Sequence, residues 1–216
     1  VISQRPGALN PNSAKGAGGT YTDGYSQNSQ NVVVPAFLAA YTGKNASSIG
    51  LGSFPSFPIP NWDIRYSGLS RIPFLSELFE SVDIRNGYRS TFTVGNYTTL
   101  QQYQVANGAV SSRDANNDFL PLYHLASVTI LEQFVPLLGI DMRFKDNLTA
   151  NVEYRQTRTL NLSLSNSQLA QQKEDILVLG FGYKTRNFRF PFGLFNGTKL
   201  NNDLTFKMDL SLRHNK

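Results

Sequence analysis

The stretch Leu148-Thr149-Ala150-Asn151-Val152-Glu153-Tyr154-Arg155-Gln156-Thr157-Arg158-Thr159-Leu160-Asn161-Leu162-Ser163-Leu164-Ser165 decides the fold class. Leu148, Ala150, Val152 and Tyr154, then Leu160, Leu162 and Leu164, fall on one side of an extended chain. Thr149, Asn151, Glu153, Arg155, Thr157, Thr159, Asn161 and Ser163 fall on the other. Side chains of a strand alternate between faces, so this period of two predicts a two-faced β-strand. Length then separates two settings. Strands of soluble sandwiches usually run about 5–6 residues. This one, at ~3.3 Å per residue, extends on the order of 60 Å. A membrane-crossing strand needs about 9–11 residues. The stretch is thus long enough to cross a bilayer and project beyond it.

Gln156 and Arg158 interrupt the apolar side. An Arg facing lipid costs roughly 2–4 kcal/mol at the midplane and little near the interface. The membrane portion is therefore expected to run from Leu148 to about Gln156, with Arg158 snorkelling at the boundary. Leu160, Leu162 and Leu164 would then face outward beyond the bilayer. They are candidate partner contacts, needing cover from a loop or another protein.

The pattern repeats in both directions. Lys145-Asp146-Asn147 reads as a tight turn back to a strand over about 125–144. Upstream, Val82, Ile84, Tyr88, Phe92 and Val94 alternate with Asp83, Arg85, Arg89, Thr91 and Thr93. Trp62, Ile64 and Tyr66 alternate with Asp63 and Arg65. Downstream, a connector at 166–174 leads to Leu177, Leu179, Phe181 and Tyr183. The last strand sets Leu204, Phe206, Met208, Leu210 and Leu212 against Lys207, Asp209 and Arg213. Residues 72–79 have helical spacing with Ser70 in front, and 98–123 read as a long polar loop.

Residues 1–60 are expected to be irregular. Residues 1–31 are rich in Gly, Asn, Ser and Gln, as a mobile arm would be. The glycines of 15–20 lack the following Lys-Ser/Thr of a phosphate loop. Residues 32–42 are compatible with a short helix or turn that docks on something. Residues 50–60 carry three prolines and should be extended. The expected class is all-β: antiparallel transmembrane strands over 61–216, forming a segment of a very large barrel, with an irregular N-terminal loop.

Composition fits that class. Apolar residues make up 40% and charged residues only 16% of the 216, against about a quarter charged in a soluble domain. Mean hydropathy is −0.28, as expected where only every second residue meets lipid. No apolar run is long enough for a transmembrane helix. Val1–Pro6 has no following apolar core and does not read as a signal peptide.

Little in the sequence points to chemistry. Cysteine is absent, which removes disulfides, thiolate metal sites and a cysteine nucleophile. Two histidines, His124 and His214, make a metal centre or triad a poor reading. Net charge is +5, but Lys and Arg are scattered, so no nucleic-acid stripe forms. We expect no enzyme activity and no cofactor. The lumen-facing candidates are Arg85, Arg89, Asp141, Arg143, Glu153, Arg155, Lys207, Asp209 and Arg213. Ordinary cross-strand pairing is the plain alternative for them. Trp62, Tyr66, Tyr88 and Tyr97 could form an aromatic girdle or simply pack. Phe188, Phe190, Phe192 and Phe195 could anchor a loop on the sheet or on a partner.

Several collinear stretches carry a family resemblance. They are Val34-Pro35-Ala36-Phe37-Leu38-Ala39-Ala40-Tyr41, Pro58-Ile59-Pro60-Asn61-Trp62 with Tyr66-Ser67-Gly68-Leu69-Ser70, and Gly87-Tyr88-Arg89-Ser90-Thr91-Phe92-Thr93-Val94-Gly95-Asn96-Tyr97. Asn151-Val152-Glu153-Tyr154, Thr157-Arg158, Leu160 to Leu169 and Gly180-Phe181-Gly182-Tyr183-Lys184 follow in order. Over about 30–213 the chain resembles the C-terminal region of the SprA/Sov family, the outer-membrane translocon of the type nine secretion system of Bacteroidota, which also serves gliding motility. The resemblance implies an exceptionally large single-chain barrel in the bacterial outer membrane that passes folded proteins carrying a C-terminal sorting domain. It implies a PorV-like barrel at a lateral opening and a plug protein at the periplasmic end. It also implies that this chain is a fragment, with the remainder of the barrel supplied by a separate chain. It carries over no catalytic residue. Two other functions fit the strands alone: another large outer-membrane transporter barrel, or a soluble β-sandwich adhesin.

Overall fold

The computed structural model describes residues 2–14, 21–52, 60–186 and 203–216. Its elements, in chain order, are helices α1 (Gln4–Leu9) and α2 (Gln30–Thr42), strand β1 (Trp62–Tyr66), helix α3 (Pro73–Leu78) and strands β2 (Phe79–Thr99), β3 (Val105–Ala106), β4 (Ala109–Val110), β5 (Tyr123–Phe144), β6 (Leu148–Ser163), β7 (Gln168–Arg186) and β8 (Asp203–Asn215). Among the described residues six strands form one sheet in the order β1-β2-β5-β6-β7-β8, and β3 pairs with β4 alone. The protein is therefore mainly antiparallel β-sheet. Its strands are far longer than sandwich strands: β5 has 22 residues, β2 has 21 and β7 has 19.

Tight turns set these pairings. Asn147 closes the β5–β6 turn at φ 63°, and Ser167 closes the β6–β7 turn at φ 51°. Asn147 is a residue type that tolerates this left-handed region. The β3–β4 hairpin turns on Asn107 and Gly108 at φ 52° and 77°, the Asn-Gly pair that a two-residue hairpin favours. Trp62 faces Tyr88 and Tyr66 faces Ile84 across β1–β2. Glu174 faces Asn215 and Arg186 faces Asp203 across β7–β8.

The chain divides into two compact units. The first comprises 1–59, 92–130 and 160–171; the second comprises 60–91, 131–159 and 172–216. In the first, α2 packs on the sheet. Val34, Phe37 and Leu38 meet Leu125, Val128 and Ile130 of β5 and Leu160 and Leu162 of β6. A second cluster joins Tyr25, Val32 and Phe119. The Val-Val-Val-Pro run of α2 is a poor helix former by itself. Burial against the sheet supplies the stability that propensity lacks. Ser29 enters the helix extended, and Gly43 leaves it at φ 64°, where glycine carries no side-chain penalty. In the second unit, apolar pairs such as Leu177–Leu212, Leu179–Leu210 and Phe181–Met208 line up across β7–β8.

Four expectations need correction. The N-terminal 60 residues are not wholly irregular, because α1, α2 and a short 3-10 turn (Ala46–Ser48) lie within them. The 98–123 loop contains the β3–β4 hairpin and begins only after β2 ends at Thr99. The connector at 166–174 is mostly strand, since β7 starts at Gln168. The helix near 72–79 is preceded by Ile72, with Pro73 in its first turn; Ser70 lies in the 3-10 turn Gly68–Arg71. The glycine run at 15–20, the prolines Pro55 and Pro58, and Phe188, Phe190, Phe192 and Phe195 lie outside the described residues.

Leu38 is 1% exposed, and Leu→Ala at such a site costs about 2–5 kcal/mol. Leu38→Ala should therefore accelerate amide exchange in Leu160–Ser163 and lower the thermal stability of the first unit. Unchanged exchange there would mean that α2 does not hold this core.

Candidate functional site

Alternation gives the second unit two unlike faces. On one, Arg85 makes a bidentate pair with Asp141 at 2.6 and 3.2 Å. Arg155 pairs with Glu153 at 2.8 and 2.9 Å, and Arg213 with Glu174 at 2.9 Å. Arg143, Asp141, Lys207 and Asp209 line a cavity of about 350 Å³ together with Asp83 and Asn151. Gly180 and Gly182 sit beneath it. A methyl group on Gly180 would overlap the Asn151 amide oxygen and crowd the Asp209 carboxylate. Glycine there lets polar side chains from β6 and β8 lie across β7. Arg89 is exposed on β2. Most of the nine charges proposed from sequence are thus in ion pairs or around one polar cavity.

The other face is apolar and open. Ile64 is 57% exposed, Phe206 62% and Leu212 55%; Leu138, Leu148, Phe181, Tyr183, Met208 and Leu210 are exposed too. Contiguous apolar surface of this kind marks an interaction or membrane surface. β8 concentrates it: all 13 of its residues are exposed, and it ends the strand order.

A row of polar groups bounds this apolar surface. The Tyr88 hydroxyl donates to Glu132 Oε1 at 3.0 Å. Arg158 Nη1 lies 3.5 Å from Glu132 Oε2. The Gln156 amide donates to Asp175 Oδ1 at 2.8 Å, and Lys173 Nζ lies 3.8 Å from Asp175 Oδ2. Trp62 stacks on Tyr88 with ring centroids 4.5 Å apart and donates from its indole to Asn86. The row runs from β1 to β7 through side chains on neighbouring strands. It changes the reading of Gln156 and Arg158. Arg158 is held by Glu132 rather than reaching freely for the interface. Sequence reasoning missed Glu132 and Asp175. The available signal was a carboxylate within the apolar run Val128–Leu138, at the same parity as Val128 and Ile130.

Leu160, Leu162 and Leu164 also need correction as partner contacts. Leu160 is 5% and Leu162 4% exposed, and Leu164 packs against the same core. Their cover is the chain's own α2, so they are not available to another protein. Of the four girdle aromatics, Trp62 and Tyr88 come together, and Tyr66 is exposed on β1. Tyr97 instead meets Tyr123 edge-on at 5.8 Å, in the first unit.

The first unit holds a separate polar knot. Arg113 grips Asp23 at 2.7 and 2.9 Å and stands 4.1 Å over the Phe119 ring. Asp118 accepts from the Ser26 backbone N–H and hydroxyl. The hydrogen bond from Arg113, aided by the Ala14 backbone N–H, lowers the Asp23 carboxyl from 3.8 to about 2. Among the described residues no group of three or more His, Cys, Asp or Glu could hold a metal ion.

No protein-family model matches the chain. No curated protein matches it significantly either.

The folded Asp23 carboxyl binds a proton more weakly than the unfolded one. Its stabilisation is therefore full above about pH 4 and is lost as pH falls towards 2. Carbon-detected NMR titration should find Asp23 titrating at about 2, returning towards 3.8 in Arg113→Gln. An unchanged titration in the variant would remove the pair as the cause.

Proposed function

We propose that this chain is a segment of the wall of an outer-membrane barrel, and that the barrel is the protein-conducting translocon of the type nine secretion system. The observation that carries the barrel reading is the two-faced second unit. It has an exposed apolar face, an opposite face of paired charges, and strands long enough to cross a bilayer. The translocon reading rests on the collinear resemblance to the SprA/Sov family. Asn151–Tyr154 and Gly180–Lys184 of that resemblance fall on β6 and β7.

In this reading Arg85, Asp141, Arg143, Glu153, Arg155, Lys207 and Asp209 wet the lumen wall, and the open apolar face meets lipid. The outer edge of β8 is a template for another strand, which the remainder of the barrel supplies. The cargo is folded protein with a C-terminal sorting domain. A PorV-like barrel and a plug protein complete the machine. Extracellular loops are longer than periplasmic turns in bacterial barrels, so the long connection between β2 and β5, with its β3–β4 hairpin, is outside and the Lys145–Asn147 turn is periplasmic.

The test is to tag the protein at Gly108, fractionate native membranes and identify what co-purifies. The expected result is extraction from the outer membrane only with detergent, together with a very large barrel chain and a PorV-like barrel. The tag should be labelled on intact cells. Solubility without detergent would remove every barrel reading, including a nutrient transporter. A detergent-soluble stable monomer would remove the translocon.

A further inference from the structure

We infer that the polar row Tyr88–Glu132–Arg158 and Gln156–Asp175–Lys173 marks the edge of the bilayer hydrocarbon, with lipid acyl chains covering the apolar face on the side of the 145–147 turn. The inference rests on the barrel reading and fixes where the lipid stops. Three observations lead to it.

The row is continuous from strand to strand. Tyr88 of β2 meets Glu132 of β5, and Glu132 meets Arg158 of β6. Gln156 of β6 meets Asp175 of β7, and Asp175 faces His214 of β8. Each carboxylate is answered by a cation or an amide donor. Charges set in this way tolerate a headgroup layer, whereas at the midplane they would be costly. Trp62, with its ring on Tyr88 and its N–H bonded, has the amphipathic character favoured at a membrane interface.

The apolar span beside the row has the right length. From Leu148 to Gln156 is nine residues, and from Leu204 to Leu212 is also nine, against the 9–11 that a tilted strand needs to cross. Across β8 that span is apolar at every second residue: Leu204, Phe206, Met208, Leu210 and Leu212.

The cover changes along β6. Leu148, before the row, is 44% exposed, whereas Leu160 and Leu162, after it, are buried under α2. Apolar residues in water need protein cover; apolar residues in hydrocarbon do not. Along β6 the chain's own cover begins only after the row; on β2, Val82 is the residue of the apolar face that is buried before it.

The chain has no cysteine, so single cysteines can carry spin labels in the complete complex in native outer membrane. Suitable positions are Val152→Cys and Leu210→Cys in the span, Gln156→Cys and Lys173→Cys in the row, and Asn166→Cys in the turn beyond. Collision with oxygen reports lipid, and collision with a nickel chelate reports water. The oxygen-to-nickel ratio should be several-fold higher at 152 and 210 than at 166, with 156 and 173 between. Row positions as lipid-like as 152, or 166 as lipid-like as 210, would overturn the inference while leaving the barrel standing. Water-like labels at 152 and 210 would overturn the barrel reading itself. Two row positions guard against one substitution disturbing its own surroundings.

Discussion

Period-two alternation on strands too long for a sandwich obliges this sheet to find cover for an apolar face. Backbone groups are satisfied laterally by neighbouring strands, so each strand's demand is exported to its side chains. Within one unit the demand is met internally: Val34, Phe37 and Leu38 of α2 close over Val128, Ile130, Leu160 and Leu162. In the other unit the corresponding face remains open, as the exposures of Ile64, Phe206 and Leu212 show. The charges of the polar face answer a different requirement. Arg85 with Asp141, and Arg155 with Glu153, are neutralised in pairs, so the face is hydrated without carrying a strong field of one sign.

The polar row explains why the apolar face contains charges at all. Partly exposed ion pairs contribute little stability, about 0–1 kcal/mol each. Glu132, Arg158, Asp175 and Lys173 are therefore weak candidates for holding the sheet together. Their arrangement serves better as a boundary, because it gathers Glu132, Arg158, Asp175 and Lys173 at one level beside the apolar span.

Much of this was legible in local sequence, because alternation is a local property. The strand around 148–163, the return strand ending at Phe144 and the final strand follow from parity alone. The tight turn at 145–147 follows from its residues. What sequence hid was non-local. The run Val32–Tyr41 announced itself as apolar, but nothing in it says that its partner surface lies on β5 and β6. Leu160 and Leu162 consequently read as exposed. Arg158 read as a lone charge because its partner Glu132 is 26 positions away in the chain, on the neighbouring strand. The Asn166–Glu174 region looked like a loop because Gln, Lys and Glu mask the alternation; pairing with neighbouring strands makes it strand nonetheless.

Trp62 is the single tryptophan of the chain, and it lies at the polar row on the open apolar face. The fluorescence difference between the reconstituted complex and its Trp62→Phe variant, quenched by lipids brominated at graded acyl depths, tests most directly whether that face meets lipid. The account predicts efficient quenching by bromines near the headgroup, weaker quenching by bromines near the bilayer centre, and iodide access intermediate between a buried and a fully exposed indole. Quenching by iodide with no response to any brominated lipid would contradict it.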